Sequence, residues 1–389
     1  MIRRLYIYVN NPVHLSAGCT FFILGTLFSF WVTRIPGVKE KLELSDGALG
    51  IALFFIPLGA IISMLVSARM IHTIGEGKTT LYALLFFCMV ILAPVMAVDF
   101  ISLCVALFFL GFSMGWLDIA MNAVVNTIEK KEMISIMSTT HGFYSLGGIA
   151  GGGMGGLLAG LGVNPILHFT VSGLIVLLVA LLFIRKHVGD IRDDKTRDPV
   201  PLFALPRAPV MGLAVIAFCI MIGEGAVADW STVYLDEFLN SGAMLAGLGY
   251  AGFSLTMTLG RFNGDYYIQK YGRSKVILFG ITVAIAGILL LLTAKIAWVI
   301  IGFTLVGMGY SCIIPVLFSS AAKVVGINPA YGLASVASAG YFGFLIGPVI
   351  IGLIAEMYGL NNSFLLLLLL TLVALAWAKR SFNVTAQKK

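Results

Sequence analysis

Glu224 stands in the middle of an apolar run, with Asp229 the nearest charge along the chain and Ser231 on nearly the same face at about 100° per residue. A carboxyl group so placed can take up a proton or bind a solute, or it can stay neutral as a hydrogen-bonding tie between helices. Asp118, Asn122, Asn126 and Glu129 follow spacings of four, four and three, which gathers them into one helical stripe. Asp118 and Asn122 are deep enough in their run to hold a solute, and the alternative for the whole stripe is interhelical hydrogen bonding. Glu129, beside Lys130, reads as an ion-pair residue at the helix end. His141 precedes Tyr144 and Ser145 by three and four residues, so the three make one polar face on which an imidazole could move protons or act as a fixed donor.

These groups must be placed by elements that lie in a bilayer. The chain has 389 residues, 59% hydrophobic and 11% charged, with a mean hydropathy of +1.01. An ordinary water-soluble domain carries about 25% charge, so that class is excluded. The net charge of +7 does not indicate nucleic acid, because the basic residues occupy short gaps between apolar runs rather than a soluble basic face. Cys19, Cys88, Cys104, Cys219 and Cys312 all fall inside apolar runs without metal or redox spacing and read as small packing residues. The N-terminus has Arg3 and Arg4 before an apolar stretch, but Asn10, Asn11, Pro12 and His14 interrupt it, and we expect it to be retained.

Apolar runs bounded by charges, Gly or Pro predict twelve membrane spans. They lie at roughly 15–35, 47–67, 79–98, 100–128, 133–161, 165–184, 208–235, 242–264, 276–294, 296–322, 329–356 and 362–379. With both termini on the cytoplasmic side, only Arg34, Lys39, Lys41 and Lys295 of the 25 Lys and Arg fall outside, a strong positive-inside bias. The polar stretch from Arg185 to Arg207 reads as a solvated linker that divides the spans six and six. The expected fold is therefore an all-α integral membrane protein of two six-helix bundles, 1–185 and 208–389, joined by a cytoplasmic linker, 186–207.

The two halves repeat. Trp31, Thr33, Leu49, Gly50, Ala52 and Phe54 align with Trp230, Thr232, Leu248, Gly249, Ala251 and Phe253 at one offset of 199 residues (230 minus 31). Weaker echoes place Met114, Gly115 and Trp116 against Met308, Gly309 and Tyr310, and Gly142, Phe143 and Tyr144 against Gly340, Tyr341 and Phe342. Two similar bundles joined by a linker suit a carrier that rocks about a central site. The glycines from Gly147 to Gly156 lack the Lys-Ser/Thr of a phosphate loop; their two tracks, Gly147, Gly151, Gly155 and Gly148, Gly152, Gly156, predict close helix approach. Gly343, Gly347, Pro348 and Gly352 predict a second tight crossing with a bend.

On this repeat the whole chain resembles a member of the major facilitator superfamily. Gly260, Arg261, Gly264, Asp265, Gln269, Lys270, Tyr271, Gly272 and Arg273 resemble its Gly/Asp/Arg loop motif, with Gln269 where an aspartate is usual. The first half keeps Gly75 and Lys78 but has His72 and Thr73 in place of the acidic and basic pair. The segments Gly115 to Asn122, His141-Gly142 and Ala228 to Ser231 resemble the YbjJ-like bacterial inner-membrane proteins and, more loosely, fucose-permease-type carriers. The resemblance implies a monomeric secondary carrier of the inner membrane, with no enzyme activity, cofactor or metal.

Its expected substrate is a small polar solute, sugar- or cyclitol-like, driven by protons. Glu224, Asp118 and His141 are the coupling candidates. Asn122, Tyr144, Trp116, Trp230, Tyr310, Ser338 and Tyr341 are the cavity candidates, and Arg34, Asp229, Glu129, Arg261, Asp265 and Arg273 the gate candidates. Arg34 could draw an anion, pair with Asp229 to close a gate, or snorkel to the interface, where Trp230 and His168 are also expected. Competing readings are efflux of an amphipathic cation, with Glu224 as its counter-charge, a polytopic membrane enzyme, and a sensor built on a carrier scaffold.

Overall fold

The computed structural model describes residue 8 and residues 10–134, 136–193 and 204–386, with the side chains of 138, 265, 329, 330 and 382–386 outside that description. Twelve long helices succeed one another among the described residues. The first six are α1 (Pro12–Lys41), α2 (Asp46–Ile74), α3 (Glu76–Met96), α4 (Phe100–Glu132), α5 (Met137–Gly160) and α6 (Pro165–Val188). After the linker come α7 (Ala208–Phe238), α8 (Ala243–Tyr271), α9 (Arg273–Leu291), α10 (Ile296–Ala321), α11 (Pro329–Tyr358) and α12 (Leu360–Ala386). Eleven are long and apolar enough to cross a membrane; α5 is the exception, because its glycines dilute its hydropathy.

Helix starts follow local chemistry. Asn11 and Asn164 accept backbone N–H groups of the first turns of α1 and α6, and a proline, whose missing N–H costs nothing there, follows each cap. Asp99 and Ser102 form a reciprocal capping box at α4. The Ser102 N–H on Asp99 holds this exposed carboxyl below its ordinary value. A depressed carboxylate stabilises the fold above its unfolded pKa of about 3.9, and that contribution is lost as pH falls through the lower folded value. Asp99→Ala is therefore expected to lower the melting temperature at neutral pH, with the gap to wild type closing in strong acid; a gap unchanged with pH would count against the charge-assisted cap.

Two expected loops turn out helical. Residues 265–271 form the last turns of α8, and 68–74 those of α2, and each helix passes to the next through one glycine, Gly272 at φ +84° and Gly75 at φ +86°. Only glycine takes that backbone without strain, so these motif glycines are joints between helices.

The helices form two compact units. The first comprises Met1–Leu44 and Phe55–Thr196, the second Ser45–Phe54 and Arg197–Lys389. In the first, α1 and α5 cross closely: a Cβ on Gly147 would strike Phe22 O and Thr26 N, one on Gly151 would strike Thr26 O, and one on Gly25 would strike Tyr144 O. In the second, Gly343 of α11 lies against Phe218 O of α7, and Gly280 and Gly309 bring α9 and α10 together. Within the same unit, Gly50 sits by Pro348 O and Gly352, while Glu356 accepts from Ser45 Oγ at 2.9 Å and from Gly47 N at 2.8 Å.

Candidate functional site

In the first unit the polar stripe of α4 meets the polar face of α5. Asn122 donates from Nδ2 to Asp118 Oδ1 at 3.1 Å and to Asp118 O at 2.8 Å. Its Oδ1 lies 3.0 Å from His141 Nε2. An amide oxygen only accepts, so His141 donates, which puts its proton on Nε2. The close α1–α5 crossing sets Phe21 edge-on to the imidazole with centroids 5.0 Å apart. Asp118, Asn122 and His141 thus form one hydrogen-bonded chain across two helices, and all three are half-buried. Tyr144 lies one turn along α5, also half-buried. Trp116 joins Phe86 and Phe112 in an aromatic cluster, at centroid distances of 6.0 and 6.3 Å.

In the second unit Glu224 of α7 has a charged neighbour that its sequence surroundings did not show. Its Oε2 lies 4.0 Å from Arg261 Nη2 of α8, while Oε1 is buried with no hydrogen-bond partner. The pair is an ion pair without a short hydrogen bond, so the carboxylate is held by charge and remains open to a second partner. Tyr310 packs against the neighbouring Gly223, and its hydroxyl shares a 2.8 Å hydrogen bond with Thr371.

Several expectations are corrected by burial. Tyr310 and Trp230 are buried in the second unit, at 1% and 0% exposed. Ser338 accepts from Ala204 N at 3.1 Å, fixing the end of the linker on α11, while Tyr341 is half-buried on the same helix. Arg34 and His168 do not snorkel: they are 7% and 5% exposed, and Arg34 Nη2 donates to His168 Nδ1 at 3.4 Å. Asp229 is buried on α7. Glu129 makes no ion pair with Lys130; it accepts Ile136 N and Met137 N at 2.6 and 2.7 Å, capping α5, while Lys130 pairs with Asp193 at 3.1 Å. A carboxylate at a helix N-terminus meets free N–H donors and the positive end of the dipole, which outweighs an exposed pair with lysine. Arg273 donates to Ser319 Oγ at 3.2 Å, and the Asp265 side chain lies outside the described residues.

Sequence reasoning missed Glu76, only 2% exposed, which accepts from Thr127 Oγ1 at 3.4 Å and from Asp193 N at 3.0 Å and so docks the start of the linker on α3. It also missed His14, 2.8 Å from Glu132. An acid directly after the joint glycine and a histidine two residues after an Asn-Pro cap were the available signals.

The sequence profile of the Major Facilitator Superfamily matches residues 16–252 and 213–387. The chain belongs to the Major Facilitator Superfamily. It is a multi-pass membrane transporter and not an enzyme. It is 34% identical over 366 residues to an uncharacterized MFS-type transporter of Yersinia pestis, covering 93% of this chain and 94% of that one. It is 29% identical over 354 residues to the membrane protein MosC of Rhizobium meliloti, covering 90% and 85%. The nucleoside transporter NupG has a similar fold, with a TM-score of 0.74 at 12% identity over 96% of this chain and 98% of that one.

Proposed function

We propose that this transporter carries a small polar solute, sugar- or cyclitol-like, across the bacterial inner membrane by alternating access, coupled to protons. The observation that carries the reading is Glu224, a carboxylate inside a membrane helix held 4.0 Å from Arg261 with its other oxygen unpartnered. Such a group has two competing partners, a guanidinium and a proton, and exchange between them is the elementary step of proton coupling. Asp118, Asn122 and His141 supply donors and acceptors for hydroxyls, and hydroxyl recognition depends on such paired polar groups because an unmatched one is costly to bury.

An amphipathic cation would be served by an unpaired carboxylate. Glu224 already has Arg261 beside it, which favours the polar-solute reading over cation efflux. The test is purified protein in proteoliposomes carrying an internal pH dye, challenged with a panel of polyols, cyclitols and cationic drugs. Internal pH change on adding a polyol or cyclitol is the expected result. Responses to hydrophobic cations alone would replace this reading by efflux.

A further inference from the structure

Arg34 is a cation buried in a membrane helix with no counter-charge paired to it among the described residues. It is 7% exposed, and among the described residues it makes one hydrogen bond, to His168, and no ion pair. The histidine does not neutralise it. Nδ1 accepts from Arg34, so the ring proton sits on Nε2 and the imidazole is an uncharged partner. At this pair the unmet groups are donors: Arg34 Nε and His168 Nε2 are buried with no acceptor among the described residues. Phe30 and Phe169 pack against the imidazole at 4.3 and 5.2 Å and close it off on the apolar side. His168 also stands in the first turn of α6, at the positive end of the helix dipole, while Asn164 already occupies the first N–H groups of that helix.

Donors without acceptors call for a ligand that accepts and does not donate. A hydroxyl brings its own O–H, which would find no acceptor here, so a neutral polyol does not complete the group. A carboxylate or phosphate does: it accepts only, it carries the missing negative charge, and its two oxygens match the Nε edge of a guanidinium. We propose that Arg34 and His168 form an anion subsite in the first unit and that the transported solute is a polyol bearing an acidic group. This deepens the proposed function and rests on its reading of a small polar solute.

The test compares D-gluconate with D-glucitol, which share a carbon skeleton and differ in the carboxylate, as ligands of the full-length protein by calorimetry and thermal shift. Wild type is expected to bind gluconate and to bind glucitol far more weakly. Arg34→Gln should weaken gluconate at least about tenfold, the loss of one charge-assisted hydrogen bond, with Arg34→Lys intermediate. His168→Phe, which fits between the two phenylalanines, gives a second variant should the first fold poorly, and it should weaken gluconate as well. Gluconate binding no tighter than glucitol binding, or unchanged in both variants, overturns the subsite. Counterflow of neutral polyols in the same preparation then separates the two failures: if it persists, the carrier reading stands without the subsite, and if it is absent, the small-solute reading falls on its own evidence.

Discussion

Glu224→Gln is expected to abolish proton-driven accumulation of solute while leaving exchange of solute across the membrane. The amide keeps the size and the hydrogen-bonding shape of the side chain but cannot be charged, so Arg261 loses its alternating partner. A gradient of one pH unit is worth about 1.4 kcal/mol per proton, so one coupled proton supports accumulation of about tenfold. In the variant the inside-to-outside ratio should settle at about one. Counterflow, which needs no net proton movement, should continue at a rate within a few-fold of wild type. Arg261→Gln should also lose accumulation, since it removes the charge that competes with the proton. A Glu224→Gln protein that accumulates solute as wild type does would return Glu224 to a purely structural role.

Gly147→Ala and Gly153→Ala are expected to move stability in opposite directions, although both replace a glycine of α5 by the better helix former. Alanine in a helix interior is favoured over glycine by up to about 1 kcal/mol. At Gly153 nothing lies within 4 Å of the added methyl, so that gain should appear undiminished. At Gly147 the methyl would meet Phe22 O and Thr26 N of α1, backbone atoms that cannot turn aside. Overpacking of this kind costs about 1–3 kcal/mol and exceeds the propensity gain. The melting temperatures in detergent should bracket wild type, with Gly147→Ala below it. Because this crossing also sets Phe21 on His141, solute affinity should fall with stability in Gly147→Ala and hold in Gly153→Ala. Equal effects of the two substitutions would mean that the glycine track does not set the distance between α1 and α5.

The helices were largely legible in the sequence because each apolar run must be about as long as the bilayer is thick. Their ends were not. Residues 265–271 are polar and tyrosine-rich and read as a loop, yet α8 continues through them, since a helix once nucleated extends into water at little cost until a residue such as Gly272 stops it. Glu224, Asp118, Asn122 and His141 could be found because a polar group inside an apolar run is conspicuous. What joins them could not be found, because their partners are set by packing between helices: Arg261 lies 37 positions from Glu224 (261 minus 224) on another helix. Glu129 shows the same limit locally, since its neighbour Lys130 suggested a salt bridge while the start of α5 offered better donors. For Tyr310 and Trp230, residue type suits a binding cavity and a packed core equally well, and their burial could not be read from the sequence.

The glycines that let α5 approach α1 also bear on how the protein is made. A segment leaving the ribosome enters the bilayer in proportion to its apolar side chains, and α5 falls below the apolarity that the other eleven helices reach. Its close fit against α1 adds a second hold, on a surface synthesised 125 residues earlier (137 minus 12). Insertion of α5 is therefore expected to gain from α1 already being in the membrane, so that the helix that carries His141 draws on its partner as well as on its own hydropathy.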